Sequence, residues 1–102
     1  MSKNIAKIIA VSSTAHPLHR FIEKLCKSLS AELNIPYEMK LEDYIFLTEH
    51  GAKDEYGFAF LPQIFVQYND GSIKLVLSEI PLNERLKPDL EKAKKNILEK
   101  IT

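Results

Sequence analysis

The amino-acid sequence predicts an α/β domain in which helices cover both faces of a mixed four-stranded sheet. Three observations support this prediction: a strand-helix-strand pattern in residues 6–41, a β-hairpin pattern in residues 58–77 and an amphipathic helical pattern in residues 88–101. Two strands joined by a helix run parallel, whereas the strands of a hairpin run antiparallel, so the sheet is mixed. The expected order is β-α-β-α-β-β-α, arranged as a three-layer α/β/α sandwich.

Length and composition set the limits of this domain. The chain has 102 residues, of which 45% are apolar and 27% are charged, and this matches one domain with a single core over residues 1–102. Fourteen basic and fourteen acidic side chains cancel, so no overall field attracts nucleic acid or an anionic membrane. Because no apolar run approaches the ~20 residues of a membrane-spanning helix, we expect a cytoplasmic protein without nucleic-acid or membrane partners.

The first strand and the first helix follow from local patterns. Residues 6–12 form a short, almost continuous apolar run, which predicts a central strand covered on both faces. Ser13 or Thr14 is predicted to cap a helix that has Pro17 in its first turn. The inward face of this helix is indicated by apolar side chains at steps of three and four residues, namely Leu18, Phe21, Ile22, Leu25, Cys26, Leu29 and Leu33.

The middle of the chain completes the parallel pair and adds a short helix. Residues 34–36, with the sequence Asn-Ile-Pro, end the first helix, and residues 37–41 predict a second strand. Residues 42–55 predict a short helix and a loop, because a four-residue apolar run is followed by Gly51. Residues 38–55 are also locally acidic, with six acids against two bases.

A hairpin and a last helix complete the predicted fold. β-Branched and aromatic residues flank a turn at residues 69–72, and Pro62 stands at the start of the first hairpin strand, where no ladder donor is needed. Pro88 and Asp89 are predicted to open the last helix. One apolar face of the hairpin is predicted to combine Ile64, Val66 and Tyr68 with Ile73, Leu75 and Leu77.

The approach to Pro62 resembles the same point in the thioredoxin superfamily. Tyr56-Gly57 followed by Leu61-Pro62 is similar to thioredoxins, and residues 62–66, with the sequence Pro-Gln-Ile-Phe-Val, are similar to glutaredoxins. The resemblance covers nearly the whole chain and implies a thioredoxin-like fold. It also implies a cis Leu61–Pro62 peptide bond facing the active site, where the backbone of Leu61 can pair with an extended peptide.

The residues that perform thioredoxin and glutaredoxin chemistry are missing from this chain. These families place a Cys-x-x-Cys motif between the first central strand and the following helix, and the matching segment here is residues 14–20. With Pro17 aligned on the proline of that motif, Ala15 and Leu18 occupy the two cysteine positions. Without a thiolate at either position, dithiol oxidoreductase activity is not expected.

The former active-site face then becomes a candidate binding surface for a peptide or protein partner. We predict that residues 15–18 and the Leu61–Pro62 segment form this surface in a redox-inactive thioredoxin-like protein. No catalytic residue and no cofactor are predicted. The candidate contact residues are Thr14, Ala15, His16, Pro17, His19, Arg20, Leu61 and Pro62.

The sequence also allows two other functions. Arg20 and the Leu61–Pro62 segment resemble parts of the glutathione site of glutaredoxins, which allows a glutathione-dependent, glutaredoxin-like or transferase-like enzyme that borrows the thiol of glutathione. The Gly-Gly and acidic pair with which glutaredoxins bind glutathione is absent from residues 77–81, and this disfavours glutathione as a ligand. Alternatively, the apolar residues 44–47 could join two copies of a structural homodimer, whereas a buried segment would leave a monomer.

A metal site is not predicted. His16 and His19 are three residues apart, a spacing that can place two imidazoles on one face of a helix. A metal site needs three or four ligands, and the best additional histidine, His50, is predicted in a loop. Cys26 falls on the buried face of the first helix and is predicted to be a core residue without chemistry.

Overall fold

A computed structural model describes residues 4–101 of the chain. The domain predicted over residues 1–102 includes positions 1–3 and 102, which lie outside the described residues. The α/β class and the mixed four-stranded sheet are confirmed. The elements in chain order are β1 (Ile5–Ser12), α1 (His19–Leu33), β2 (Tyr37–Leu41), α2 (Tyr44–His50), β3 (Gln63–Tyr68), β4 (Ile73–Leu77) and α3 (Leu90–Ile101).

The four strands lie in the order β2-β1-β3-β4. β2 is parallel to β1, and β3 is antiparallel to both β1 and β4. Ser12 of β1 lies opposite Leu41 of β2, while Val11 lies opposite Gln63 at the start of β3. The carboxyl ends of β1 and β2 therefore meet the amino end of β3 at one end of the sheet.

The first face of the sheet is covered by α1 and α3. Ile8 of β1 and Ile64 and Val66 of β3 are buried in a core that includes Leu25 of α1 and Ile97 of α3. The apolar side chains of both helices recur at helical spacing, so each helix presents one continuous face to the sheet. This core is the larger of the two.

The opposite face is covered by α2 and by the segment before β3. Leu47 of α2 is buried with Ile9, Val11 and Phe65, and Leu61 is partly buried against them. β1 is thus covered on both faces, as its nearly continuous apolar sequence predicted. No helix within residues 4–101 is long and apolar enough to cross a membrane.

The hairpin departs in part from the predicted pairing, and its β3–β4 ladder contains a register shift. Ile64 lies opposite Leu77 and Phe65 lies opposite Leu75, so one extra residue of β4 is accommodated between these pairs. Leu75 lies opposite Phe65 and packs with it on the α2 side of the sheet, whereas Leu77, beyond the shift, packs with Ile64 under α1 and α3. The predicted shared face is therefore wrong for Ile73 and Leu75, which pack on the α2 side. The other four residues do share one core, namely Ile64, Val66, Tyr68 and Leu77.

The start of α1 also differs from the prediction. The helix begins at His19 with Leu18 as its N-cap residue, and no side chain accepts a capping hydrogen bond there. Ser13 and Thr14 lie in the preceding turn, and Pro17 comes before the helix instead of in its first turn. The prediction of a Ser13 or Thr14 cap is wrong because this local turn uses the Ser13 hydroxyl for its own backbone.

Candidate binding site at one end of the sheet

The predicted contact residues lie in two segments that meet at the same end of the sheet. Residues 14–20 follow β1, and Leu61–Pro62 precede β3, which pairs with β1. We call these two segments the sheet-end face. The Leu61–Pro62 peptide bond is cis, as the resemblance implied. The exposed side chains of the face are Thr14, Ala15, Pro17 and Arg20, the half-buried ones are His16, His19 and Leu61, and the buried one is Pro62.

A hydrogen-bonded turn holds the first segment of the face in place. The hydroxyl of Ser13 accepts the N–H of Ala15 at 3.2 Å, and the carbonyl of Ser13 accepts the N–H of His16 at 2.9 Å. Nδ1 of His16 accepts the N–H of Leu18 at 3.0 Å. These bonds engage His16 with its own backbone and leave Ala15 exposed at the tip of the turn.

His19 links the end of β1 to the first turn of α1. Its Nδ1 lies 3.0 Å from the hydroxyl oxygen of Ser12, and its Nε2 lies 3.4 Å from a carboxylate oxygen of Glu23. Only 12% of the His19 side chain is exposed, so these two contacts hold the ring in one orientation. His16 and His19 therefore engage different partners and do not form a ligand pair.

Ser12, His19 and Glu23 contain the side-chain types of many hydrolytic sites, yet their geometry supports a structural role. A nucleophilic hydroxyl must reach its substrate, and Ser12 is completely buried at the end of β1. The contacts of His19 with Ser12 and Glu23 therefore orient the start of α1. Sequence reasoning did not connect Ser12 or Glu23 with His19. The four-residue spacing of His19 and Glu23 was a visible signal, whereas the contact with Ser12 arises only in the fold.

The third histidine packs on α2. His50 is the last residue of this helix, so its predicted location in a loop is wrong. Its ring centroid lies 4.7 Å from that of Phe46, one helical turn earlier. Within residues 4–101, no group of three or more His, Cys, Asp or Glu side chains could hold a metal ion.

Gln63 is a buried polar residue beside the face that sequence reasoning did not single out. Its Nε2 donates to the carbonyl oxygens of Ala52 at 3.0 Å and Phe60 at 2.9 Å, and its Oε1 accepts the N–H of Ala52 at 2.9 Å. A Cβ atom at Gly51 would lie 2.8 Å from this Oε1, so the chain needs glycine there. Gln63 thereby ties residues 52–60 to the start of β3. The available signal was one amide side chain at the head of an apolar strand.

The structure also describes the residues on which the two alternative functions depend. Arg20 is exposed in the first turn of α1, and the disfavoured alternative of glutathione binding beside it is not tested by any contact of this side chain. In the segment predicted as a dimer contact, Tyr44 and Ile45 are exposed. Phe46 is half-buried with its ring centroid 5.0 Å from that of Phe65, and Leu47 is completely buried. Only half of that segment is therefore available to a second copy.

Comparisons with protein-family models, with curated proteins and with solved structures find no match for the chain. The thioredoxin-like fold accordingly stays a prediction from the sequence. The role of the sheet-end face has to be inferred from its own contacts, exposure and charge.

Cys26 is a core residue, as predicted. It is completely buried on the inner face of α1, next to the sheet. Burial, together with the negative charge of Glu23, raises the pKa of its thiol from 9.0 to about 12. The thiol is therefore protonated and inaccessible at neutral pH, which leaves it without the thiolate that disulfide exchange requires.

The buried thiol should be unreactive in the folded protein and should affect stability only at high pH. We expect a chromogenic disulfide reagent at pH 8 to label Cys26 only after unfolding. The pKa of the thiol is higher in the folded protein than in the unfolded chain. The contribution of the protonated thiol to the free energy of unfolding is therefore complete below pH 9.0 and is lost between pH 9.0 and about 12. The loss approaches about 1.4 kcal/mol per pH unit.

A Cys26→Ala variant is the control, because it keeps every other group that titrates in this pH range. Urea unfolding across the range should show a steeper loss of stability in the wild type than in the variant. Rapid labelling of the folded wild type, or parallel stability curves for the two proteins, would contradict the assignment.

Proposed function

We propose that this chain is a thioredoxin-like protein without dithiol chemistry that binds an extended peptide or protein segment at the sheet-end face. The observation that carries the proposal is the backbone of Leu61. Among residues 4–101, neither its N–H nor its C=O takes part in a hydrogen bond. Leu61 is half-buried and is separated from β3 only by Pro62, so an extended segment laid beside it can pair with both groups.

The turn after β1 supports the same proposal from the other side of the face. Ala15 is exposed there and is held by the hydroxyl of Ser13, while the contact between His19 and Ser12 fixes the following helix start. A binding surface whose backbone is already ordered loses little entropy when a ligand binds. The methyl group of Ala15 offers an apolar contact where the related families have a thiol.

The proposal is tested by selecting binders for the protein from a random peptide library displayed on phage and then synthesising the enriched peptides. Amide chemical shifts should change at Leu61 and in residues 13–19 when such a peptide is titrated. An Ala15→Arg variant should bind the peptide at least about tenfold more weakly, or roughly 1.4 kcal/mol, because the long side chain fills the face.

Ala31→Arg is the matched control, since Ala31 is also an exposed alanine but lies near the end of α1. It should bind the peptide as tightly as the wild type. The proposal is wrong if no peptide is enriched, or if Ala15→Arg and Ala31→Arg have equal effects.

A further inference from the structure

The exposed large apolar side chains of the protein are concentrated beside the sheet-end face. Five of the seven in the described part of the chain lie between positions 41 and 58. The most accessible of them are Ile45, Tyr56 and Phe58, at 75%, 77% and 67% exposure. The five are Leu41, Tyr44, Ile45, Tyr56 and Phe58. We call residues 41–45 and 54–58 the acidic apolar rim.

Both segments of the rim are attached to the end of the sheet that carries the face. The N–H of Glu42 donates to the carbonyl of Ser12 at 2.8 Å, so the first segment lies directly beside the end of β1. The second segment is the tip of a small loop closed by an antiparallel bridge between Lys53 and Ala59. Gln63 anchors the base of that loop at the start of β3.

The second segment is ordered by its own hydrogen bonds. A carboxylate oxygen of Asp54 accepts the N–H of Tyr56 at 2.9 Å and the N–H of Phe58 at 3.0 Å. The N–H of Asp54 donates to the carbonyl of Phe58 at 2.8 Å, and Gly57 takes the left-handed φ of 84° that the turn requires. The two aromatic side chains therefore stand on a defined turn and can contact a partner at little cost in backbone entropy.

The rim is negatively charged. Its two segments contain four acids, Glu42, Asp43, Asp54 and Glu55, and no basic residue. Lys40 lies 3.9 Å from a carboxylate oxygen of Asp43 and 3.1 Å from one of Glu38, so its charge is shared between two acids. Arg20 is the exposed basic residue on the sheet-end face itself. Acids therefore dominate the region around the aromatic side chains.

We propose that the acidic apolar rim selects partner segments in which lysine or arginine stands next to aromatic or aliphatic residues. This inference rests on the proposed function, because it names the chemistry of the segment that the sheet-end face binds. Apolar side chains of the partner pack on Tyr56 and Phe58, and its cations complement the rim acids. Phosphate groups of nucleic acids and anionic lipids carry the wrong charge for this surface, which leaves a basic protein segment as the occupant.

The test measures the affinity of the protein for the peptides enriched from the phage library, at low and at high salt. We expect them to carry net positive charge together with apolar residues, and to bind more weakly as salt screens the charges. A Tyr56→Ser/Phe58→Ser double variant should bind them at least about tenfold more weakly. A Glu42→Lys/Glu55→Lys double variant should also bind more weakly and should lose the salt dependence.

A Leu82→Ser/Leu86→Ser double variant is the matched control, because it removes the other two exposed large apolar side chains. It should leave the affinity unchanged. This inference is overturned, and the proposed function is left intact, by either of two results. In one, the peptides bind at Ala15 but are neutral or acidic; in the other, they bind at Ala15 and neither rim variant changes their affinity. Peptides that need the rim but are insensitive to Ala15→Arg would overturn the proposed function, and the absence of any enriched peptide would overturn both.

Discussion

Replacing Gln63 with alanine should lower the free energy of unfolding by roughly 3–5 kcal/mol, because it removes three part-buried hydrogen bonds at once. The lost partners are the N–H and C=O of Ala52 and the C=O of Phe60. Gln63 is completely buried, so water cannot easily replace its amide group. Each backbone group left without a partner costs about 1–3 kcal/mol.

Urea unfolding measures this loss, and hydrogen exchange locates it. The amide of Ala52 should exchange much faster in Gln63→Ala, and peptides that need residues 54–58 should bind it more weakly. Gln67→Ala is the matched control on the same strand, since the Gln67 side chain is half-buried and makes only a long contact of 3.5 Å with the carbonyl of Gly71. Its effect should stay within about 0.5 kcal/mol. Equal stability losses in the two variants would show that the anchoring role of Gln63 is wrong.

Replacing Phe65 with alanine should cost about 3–5 kcal/mol of the free energy of unfolding. The side chain is completely buried between the sheet and α2, where it packs with Leu47 and Val11. Its ring also meets that of Phe46 edge to face, with centroids 5.0 Å apart, and such pairs add about 0.5–1.5 kcal/mol. Because this is the smaller of the two cores, few other side chains can fill the space that the ring leaves.

Phe58→Ala provides a matched comparison, since it removes the same ring from a position that is 67% exposed. It should change the stability by no more than about 0.5 kcal/mol. Phe65→Leu should fall between the two, because it keeps part of the buried volume. All three are measured by urea unfolding under the same conditions. A small effect of Phe65→Ala would mean that α2 does not depend on this core for its position.

Local sequence patterns were enough to predict the class of the fold and most of its elements. β2 occupies residues 37–41 as predicted, and the predicted inward face of α1 is the one that buries Ile22, Leu25 and Leu29. These predictions hold because the spacing of side chains along one helix or strand is a property of the local backbone. The cis peptide bond at Leu61–Pro62 was predicted from the resemblance and is present.

Tertiary structure alone decided the contacts between side chains and backbone groups that belong to different elements of the fold. In the sequence, Gln63 is one amide at the head of an apolar strand, and only the folded chain brings the backbone of Ala52 to it. The ring of His19 likewise meets Ser12 because the turn between β1 and α1 brings the first residue of the helix beside the last residue of the strand. The register shift between Ile64 and Phe65 of β3 is likewise a property of the folded sheet. Which face a strand residue occupies depends on the helices that cover each side of the sheet, and spacing within one strand does not contain that information.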